Sequence, residues 1–325
     1  MGGMRAIRQH EFGGPDVLRL EEVPDPEPGP GQVRIAVEAI GVHLLDTSIR
    51  AGTSFGATQA PELPMTPGRE VAGTVDRVGS GVDAGWLGRR VVAHLGQASG
   101  GYAELAVVAA ARAYEIPPTL DAPTAVAAIG TGRTAMGILD LAAIKSSDVV
   151  AVTSAAGGLG VLLLQGARSA GARAIALAGG AAKLEVAARF GATSTIDYRA
   201  TGWHERLADE PPLTVVLDGV GGEVGRLLYQ RLAPGGRLVR YGWSSGEENT
   251  YDDPDRPVVE VLGPPILDRL AELEQRALTA AAEGRIVPYV GSVFPLADAA
   301  AAHRALEDRE TIGKVVLVTG AARGW

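Results

Sequence analysis

Over residues 32–39 apolar Val33, Ile35 and Val37 alternate with Arg34, Ala36 and Glu38, the period of a strand with one buried face. Further short strands are predicted at 71–78, 90–94 and 102–108, divided by Gly and Pro at Pro67-Gly68, Gly79 to Gly81, Gly85, Gly88 and Gly100-Gly101. Short strands so punctuated predict a small barrel or sandwich over residues 1–119. The period becomes helical from Thr124, beyond Pro117-Pro118, and from Asp148 strands and helices alternate. Apolar strands are expected at 149–152, 174–178, 195–197, 215–218 and 238–241, with helices between them ending at Gly171 and Gly191. This alternation predicts an α/β domain, a doubly wound parallel sheet over residues 120–263. After Pro264-Pro265 one helix is expected to run to about Glu283, then a helix at 297–307 and a strand at 314–319. The tail has no glycine loop of its own, so 264–325 is assigned with 1–119 and the α/β domain is read as an insertion.

The predicted strand at 149–152 leads into Thr153-Ser154-Ala155-Ala156-Gly157-Gly158-Leu159-Gly160 and an apolar helix from Val161. This is a dinucleotide fingerprint with Ala155 in the first glycine position. The turn lets the backbone approach a pyrophosphate, and the helix N-terminus supplies free N–H groups. A site for NAD would carry an acid about 20 residues further on, for the ribose 2′-hydroxyl. Between Val161 and Leu184 there is no Asp or Glu; the second strand ends at Ala178-Gly179-Gly180, and Lys183 follows. An open turn with a lysine accepts a 2′-phosphate that a carboxylate would repel, which favours NADPH. Lys183 as an ordinary solvated helix residue is the other reading. None of the seven tyrosines has Lys four residues later, which excludes short-chain dehydrogenase chemistry.

Composition narrows the rest. The 325-residue chain has a net charge of −8 and no cysteine. An acidic balance argues against general nucleic-acid binding. Without Cys there are no disulfides, thiol nucleophiles or cysteine-ligated zinc. No apolar run reaches the length of a membrane span and no targeting segment is evident, so a cytoplasmic protein is expected. Asp252, Asp253 and Asp255 lack the Gly and closing Glu of a calcium loop and read as a solvated acidic turn.

Motifs along nearly the whole chain resemble the zinc-free quinone oxidoreductase (zeta-crystallin-like) branch of the medium-chain dehydrogenase/reductase superfamily. They include Gly13-Gly14-Pro15-Asp16-Val17-Leu18, Ala39-Ile40-Gly41-Val42-His43-Leu44-Leu45-Asp46-Thr47, Pro67-Gly68-Arg69-Glu70-Val71-Ala72-Gly73 and Gly101-Tyr102-Ala103-Glu104. The glycine loop, Asp218-Gly219-Val220-Gly221-Gly222, Leu232-Ala233-Pro234-Gly235-Gly236, Ala302-His303-Arg304-Ala305-Leu306-Glu307 and Gly313-Lys314-Val315-Val316 complete the series. The resemblance implies a GroES-like β-barrel catalytic domain with an inserted Rossmann domain and an active site in the cleft between them. It places the 2′-phosphate contacts on Gly179, Lys183, Tyr198 and Arg309, with Gly179 standing where relatives often have Ser. It lays the pyrophosphate on Ala156, Gly157, Gly158 and Leu159, and brings Thr134, Tyr241 and Gly242 to the nicotinamide half.

In the alcohol-dehydrogenase branch catalytic zinc is held by Cys, His and Cys. Here those places carry His43, Arg69 and no cysteine near Gly130, so no zinc is expected. The chemistry then implied is hydride delivery to an activated electrophile, a quinone or an α,β-unsaturated carbonyl. His43 stands where relatives often have Asn and Ser48 where they have Tyr. His43 is a candidate donor to the substrate oxygen, or only a partner of the cofactor ribose or the main chain. Asp46 is read as organising its loop, and Ser48 as widening the pocket. His10, His94, His204 and His303 are read as surface or structural. The β-branched run at 257–262 is a candidate edge strand, through which the resemblance implies a homodimer. Two alternatives remain open: an enoyl-thioester reductase of secondary metabolism, and an NADPH-binding protein without turnover, as lens crystallins of this family are.

Overall fold

The computed structural model describes residues 3–53, 60–96, 100–261 and 263–320. The chain divides into two compact units, Met1–Gly130 with Tyr289–Trp325, and Thr131–Pro288. The first begins with β1 (Gly3–Gln9), β2 (Leu18–Pro24), β3 (Gln32–Val42), α1 (Leu44–Ala51), β4 (Glu70–Val78), β5 (Arg90–His94), β6 (Leu105–Ala109), β7 (Ala113–Glu115) and α2 (Ala122–Ala127). The second runs α3 (Arg133–Ala142), β8 (Val149–Val152), α4 (Gly158–Ser169), β9 (Arg173–Ala178), α5 (Ala181–Arg189), β10 (Ser194–Asp197) and α6 (Trp203–Ala208). It continues through β11 (Leu213–Asp218), α7 (Gly222–Gln230), β12 (Leu232–Arg240), β13 (Val258–Glu260), α8 (Pro264–Leu267) and α9 (Leu270–Ala282). The chain then returns to the first unit with β14 (Val290–Pro295), α10 (Ala299–Glu307) and β15 (Lys314–Val318).

In the first unit the main sheet is ordered β14-β15-β3-β4-β5-β7, with β6 also paired to β3. Val33, Ile35, Val37, Ile40, Val71 and Leu317 fill its interior, none more than 1% exposed. Burying a side chain of that size contributes about 1.5–3 kcal/mol. The expected outward face of β3 is only partly outward. Arg34 is 6% exposed, because Asp76 on β4 meets its guanidinium at 3.0 and 2.9 Å. The strand expected from residue 102 begins at Leu105, because Tyr102 and Ala103 are drawn to β1: the Ile7 amide donates to the Tyr102 carbonyl at 2.8 Å, and Ala103 bridges Ala6.

In the second unit the sheet is ordered β10-β9-β8-β11-β12-β13, parallel throughout, which is the doubly wound Rossmann order. Its central strands are covered on both faces and therefore carry apolar runs; Val150, Ala151, Val152, Val215, Val216 and Leu217 are all 0% exposed. β13 closes one edge, within the stretch expected to do so; Leu262 lies outside the described residues.

The segment 264–288, expected with the barrel, packs instead in the second unit. Gly137 on α3 makes the room: a Cβ there would lie 2.8 Å from Ile266 Cγ1 and 3.4 Å from Leu273 Cδ1. Buried Glu274 on α9 pairs with Arg133 on α3 at 3.1 Å, and Asp140 receives Arg269 and Arg276 at 2.8 and 2.7 Å. The single helix expected after Pro265 is two, α8 and α9, broken at Asp268 and Arg269. Conversely α2, expected with the Rossmann domain, belongs to the first unit, where it packs on β3 and β4.

Candidate active site

The glycine turn lies at the C-terminal ends of β8 and β11, where the strand order of the parallel sheet reverses. Ligands bind at such a switch point in open α/β sheets. Ala155, Ala156 and Gly160 are buried, whereas Gly157, Gly158 and Leu159 remain half exposed at the start of α4. A Cβ on Gly160 would lie 2.5 Å from the Ser154 carbonyl oxygen and 2.6 Å from Ala155 backbone atoms. Only glycine fits there, and that close approach of helix to turn is the third-glycine requirement of a dinucleotide fold. The turn holds one left-handed non-glycine residue, Ser154 with φ 49°. First-turn amides of α4 have no carbonyl one turn earlier to bond, so Gly158, Leu159 and Gly160 offer N–H groups to an anion. These features fit a dinucleotide pyrophosphate.

One strand over, β9 and β10 end side by side; Gly179 and Tyr198 adjoin there, and Lys183 follows in the first turn of α5. Gly180, with φ 92°, caps α5, whose third residue is Lys183. Tyr198 Cε2 would be 3.6 Å from a Cβ on Gly179, and Arg199 Cδ only 2.4 Å. The carboxylate here, Asp197, accepts the Gly180 amide at 3.1 Å and the Arg199 amide at 2.9 Å. Both oxygens are thus held on backbone N–H groups. Arg199 is a residue of this corner that sequence reading did not single out; its neighbour Tyr198 was the only signal. Arg309 belongs to the first unit, in the turn after α10, with φ 59°.

Tyr241, just after β12, lies against Gly219, where a Cβ would be 2.3 Å from Tyr241 Cε2, and its hydroxyl donates to the Thr153 carbonyl at 3.2 Å. Burial pushes that hydroxyl's pKa up, so it stays protonated. Gly242 follows, 3.3 Å (as a Cβ) from the Gly219 carbonyl oxygen, and Thr134 stands in the first turn of α3. Buried Asp218 fastens this region: it accepts Thr153 Oγ1 at 3.0 Å and the Val220 amide at 2.9 Å.

In the first unit β3 pairs antiparallel with both β15 and β4, so its C-terminal end lies beside their N-terminal ends. His43, Glu70 and Lys314 meet there. His43 Nε2 is 2.7 Å from Glu70 Oε2 and 2.9 Å from Lys314 Nζ, and Lys314 Nζ is 3.2 Å from the same carboxylate oxygen. The Glu70 side chain is 0% exposed and Lys314 4%, whereas His43 keeps 24%. Burial opposes ionisation of Glu70, but the charges of His43 and Lys314 prevail and hold its carboxyl well below the usual range. Burial pushes the Lys314 amine down, against Glu70. The two contacts to Glu70 are close without being well-aligned hydrogen bonds, since neither Glu70 oxygen receives one among the described residues, whereas Lys314 and His43 are hydrogen-bonded. The carboxylate can accept only a proton carried on Nε2 and the ammonium can donate only to the Nε2 lone pair, so Nε2 serves one of the two at a time.

Asp46 lies in the first turn of α1: its Oδ2 accepts the His43 amide at 2.8 Å, and Arg69 Nε stands 3.6 Å from Oδ1. It also accepts the Tyr102 hydroxyl at 3.3 Å, and Tyr102 is 2.9 Å from His303 Nε2. His303 is 0% exposed and so is no surface residue; burial pushes its pKa down to about 4. Ser48 is half exposed on α1, and its carbonyl accepts Thr53 at 3.1 and 2.9 Å.

Two family models match, the alcohol dehydrogenase GroES-like domain over residues 29–118 and the zinc-binding dehydrogenase family over residues 190–317. A quinone oxidoreductase of Rattus norvegicus is 32% identical over 326 residues, covering 97% of this chain and 98% of the relative. A 2-haloacrylate reductase of a Burkholderia species is 33% identical over 330 residues, covering 95% of this chain and 97% of the relative. The structure of Escherichia coli quinone oxidoreductase complexed with NADPH superposes with a TM-score of 0.84 at 30% identity, covering 97% of this chain and 99% of that one. The chain belongs to the quinone oxidoreductase branch of the medium-chain dehydrogenase/reductase superfamily. Within that branch the first unit is the GroES-like domain and the second the Rossmann domain. Glu70 and Lys314 stood inside quoted family motifs but were assigned no part, because nothing in either motif indicates that strand pairing brings them to His43. A quinone oxidoreductase fold thus carries here a histidine tied to a buried ion pair.

Proposed function

We propose that the chain is an NADPH-dependent reductase of quinones and α,β-unsaturated carbonyl compounds that works without zinc. The observation that carries the cofactor choice is the corner formed by Gly179, Lys183, Tyr198 and Arg199, where the Asp197 carboxylate is occupied by backbone amides. A quinone oxidoreductase and a 2-haloacrylate reductase among the relatives support the acceptor class, because both names denote electrophiles already conjugated to a carbonyl. Ala156, Gly157, Gly158 and Leu159 would hold the pyrophosphate, and Thr134, Tyr241 and Gly242 would flank the nicotinamide half. Arg309 would add a contact to the 2′-phosphate. NADPH, when bound, supplies the hydride.

The chain's own part is to bind, to exclude water and to stabilise charge developing on the acceptor oxygen. His43 is the group we assign to that oxygen. Glu70 and Lys314 face its Nε2. Asp46 holds the His43 main chain, and Ser48 contributes space. Oxidation of NADPH by naphthoquinones, simple enones, 2-haloacrylates and enoyl-thioesters tests the reading. Turnover on the first three with NADPH, and at least tenfold less with NADH, is expected. Turnover on enoyl-thioesters alone would favour the alternative reductase. Thermal stabilisation by NADPH with no turnover on any acceptor would reduce the protein to a binding role. His43→Asn is expected to lower kcat about 10- to 100-fold with NADPH affinity unchanged. We also propose a homodimer formed along the β13 edge, which a monomeric mass in solution would refute.

A further inference from the structure

Arg199 is exposed, and its guanidinium makes no hydrogen bond or ion pair among the described residues. Its stem nevertheless has a fixed place. A Cβ on Gly179 would lie 2.4 Å from Arg199 Cδ and 3.1 Å from Cγ, so the methylenes fill the space in which a side chain at residue 179 would stand. The Arg199 amide is anchored on Asp197 Oδ1 at 2.9 Å, and the same carboxylate holds the Gly180 amide at 3.1 Å. Asp197 therefore sets two backbones at once: the turn that leads into α5 and the turn that carries Arg199. The first turn of α5 contains no acid and includes Lys183. This corner thus carries Lys183, Arg199 and the tethered Asp197.

We propose that Arg199 is a specificity-determining residue, whose guanidinium pairs with the 2′-phosphate of NADPH beside Lys183. The vacancy at Gly179 is what admits it. This inference rests on the NADPH reading above. A forked guanidinium recognises a phosphate with two parallel N–H donors, which the ribose hydroxyl of NADH cannot engage as strongly. Arg199 also offsets the repulsion between Asp197 and the phosphate.

The test is the affinity for NADPH and for NADH, by fluorescence titration. Arg199→Ala is expected to weaken NADPH about 10- to 100-fold, the loss of a charge-assisted phosphate contact, with NADH affinity unchanged within about twofold. Arg199→Lys should retain part of the affinity and Arg199→Ala should flatten its salt dependence. Gly179→Ala supplies the interfering Cβ without a hydroxyl. Alone it should displace Arg199 and weaken NADPH; in the Arg199→Ala background it should do nothing further, a non-additivity that a merely structural role would not produce. A wild-type protein that binds both cofactors equally would overturn the NADPH reading itself. A wild-type preference for NADPH that survives Arg199→Ala would overturn the assignment of Arg199 and leave the cofactor reading standing.

Discussion

Charge gathers in two places in this chain, and the surroundings differ. At the end of β9 and β10 Lys183 is half exposed and Arg199 exposed. At the ends of β3, β4 and β15 Glu70 and Lys314 are enclosed, at 0% and 4% exposure. An exposed cation costs the fold little and can be given to a ligand. A buried one must be neutralised by the protein, and the pair is then part of the fold before it is part of any reaction. His43 joins the two conditions: its Nε2 faces the buried pair while the ring keeps partial access to solvent.

Substitutions should divide along that line. The largest effect is expected at Glu70: Glu70→Ala strands the Lys314 ammonium in the barrel wall and should cost about 3–5 kcal/mol in denaturant unfolding. The double variant Glu70→Leu with Lys314→Met should recover most of that loss, and a double variant as unstable as Glu70→Ala would show that the pair's charge is not what matters.

Next comes His303, whose folded pKa of about 4 lies below its unfolded value of 6.5. Between those two values the unfolded chain binds a proton that the folded chain refuses. Stability should therefore fall as pH drops from about 6.5 to about 4, by about 3 kcal/mol from this group. His303→Asn should flatten that window. Glu70, with its pKa held low, contributes with the opposite sign of charge but in the same direction: its stabilisation is present above the ordinary glutamate range and is lost as pH falls further, towards its folded value.

Gly160→Ala comes third, at about 1–3 kcal/mol, because the clashing atoms are backbone and cannot rotate away. NADPH affinity should fall with it. The smallest effect on unfolding is expected for Arg199→Ala, under about 0.5 kcal/mol, in the variant whose cofactor preference should change most. A large loss of stability there would erase the contrast between the two charged regions.

The two regions also differ in how legible they were. The glycine turn could be read directly, because strand, turn and helix are consecutive and the requirement for Gly160 is local. The absence of an acid after β9 was equally plain, and Tyr198 lies beside Gly179. Arg199 was passed over because its stem lies on a glycine 20 positions earlier, across a helix. Residues 264–288 were assigned to the wrong side of the division seen in the structure because a helical pattern does not name its partner; Gly137 and the Arg133–Glu274 pair do that.

The sequence alone determined the strand and helix periods, the dinucleotide turn, the lack of sulfur ligands and the family, since each depends on residues that are neighbours in the chain or on their order. Only the tertiary structure decided what His43 touches. Its partners at positions 70 and 314 arrive by antiparallel pairing of β3 with β4 and β15, and the charge they bury is tolerable only because all three strands end together. Register and burial are properties of the packed chain, and they choose the partners of a histidine that the sequence could only point to.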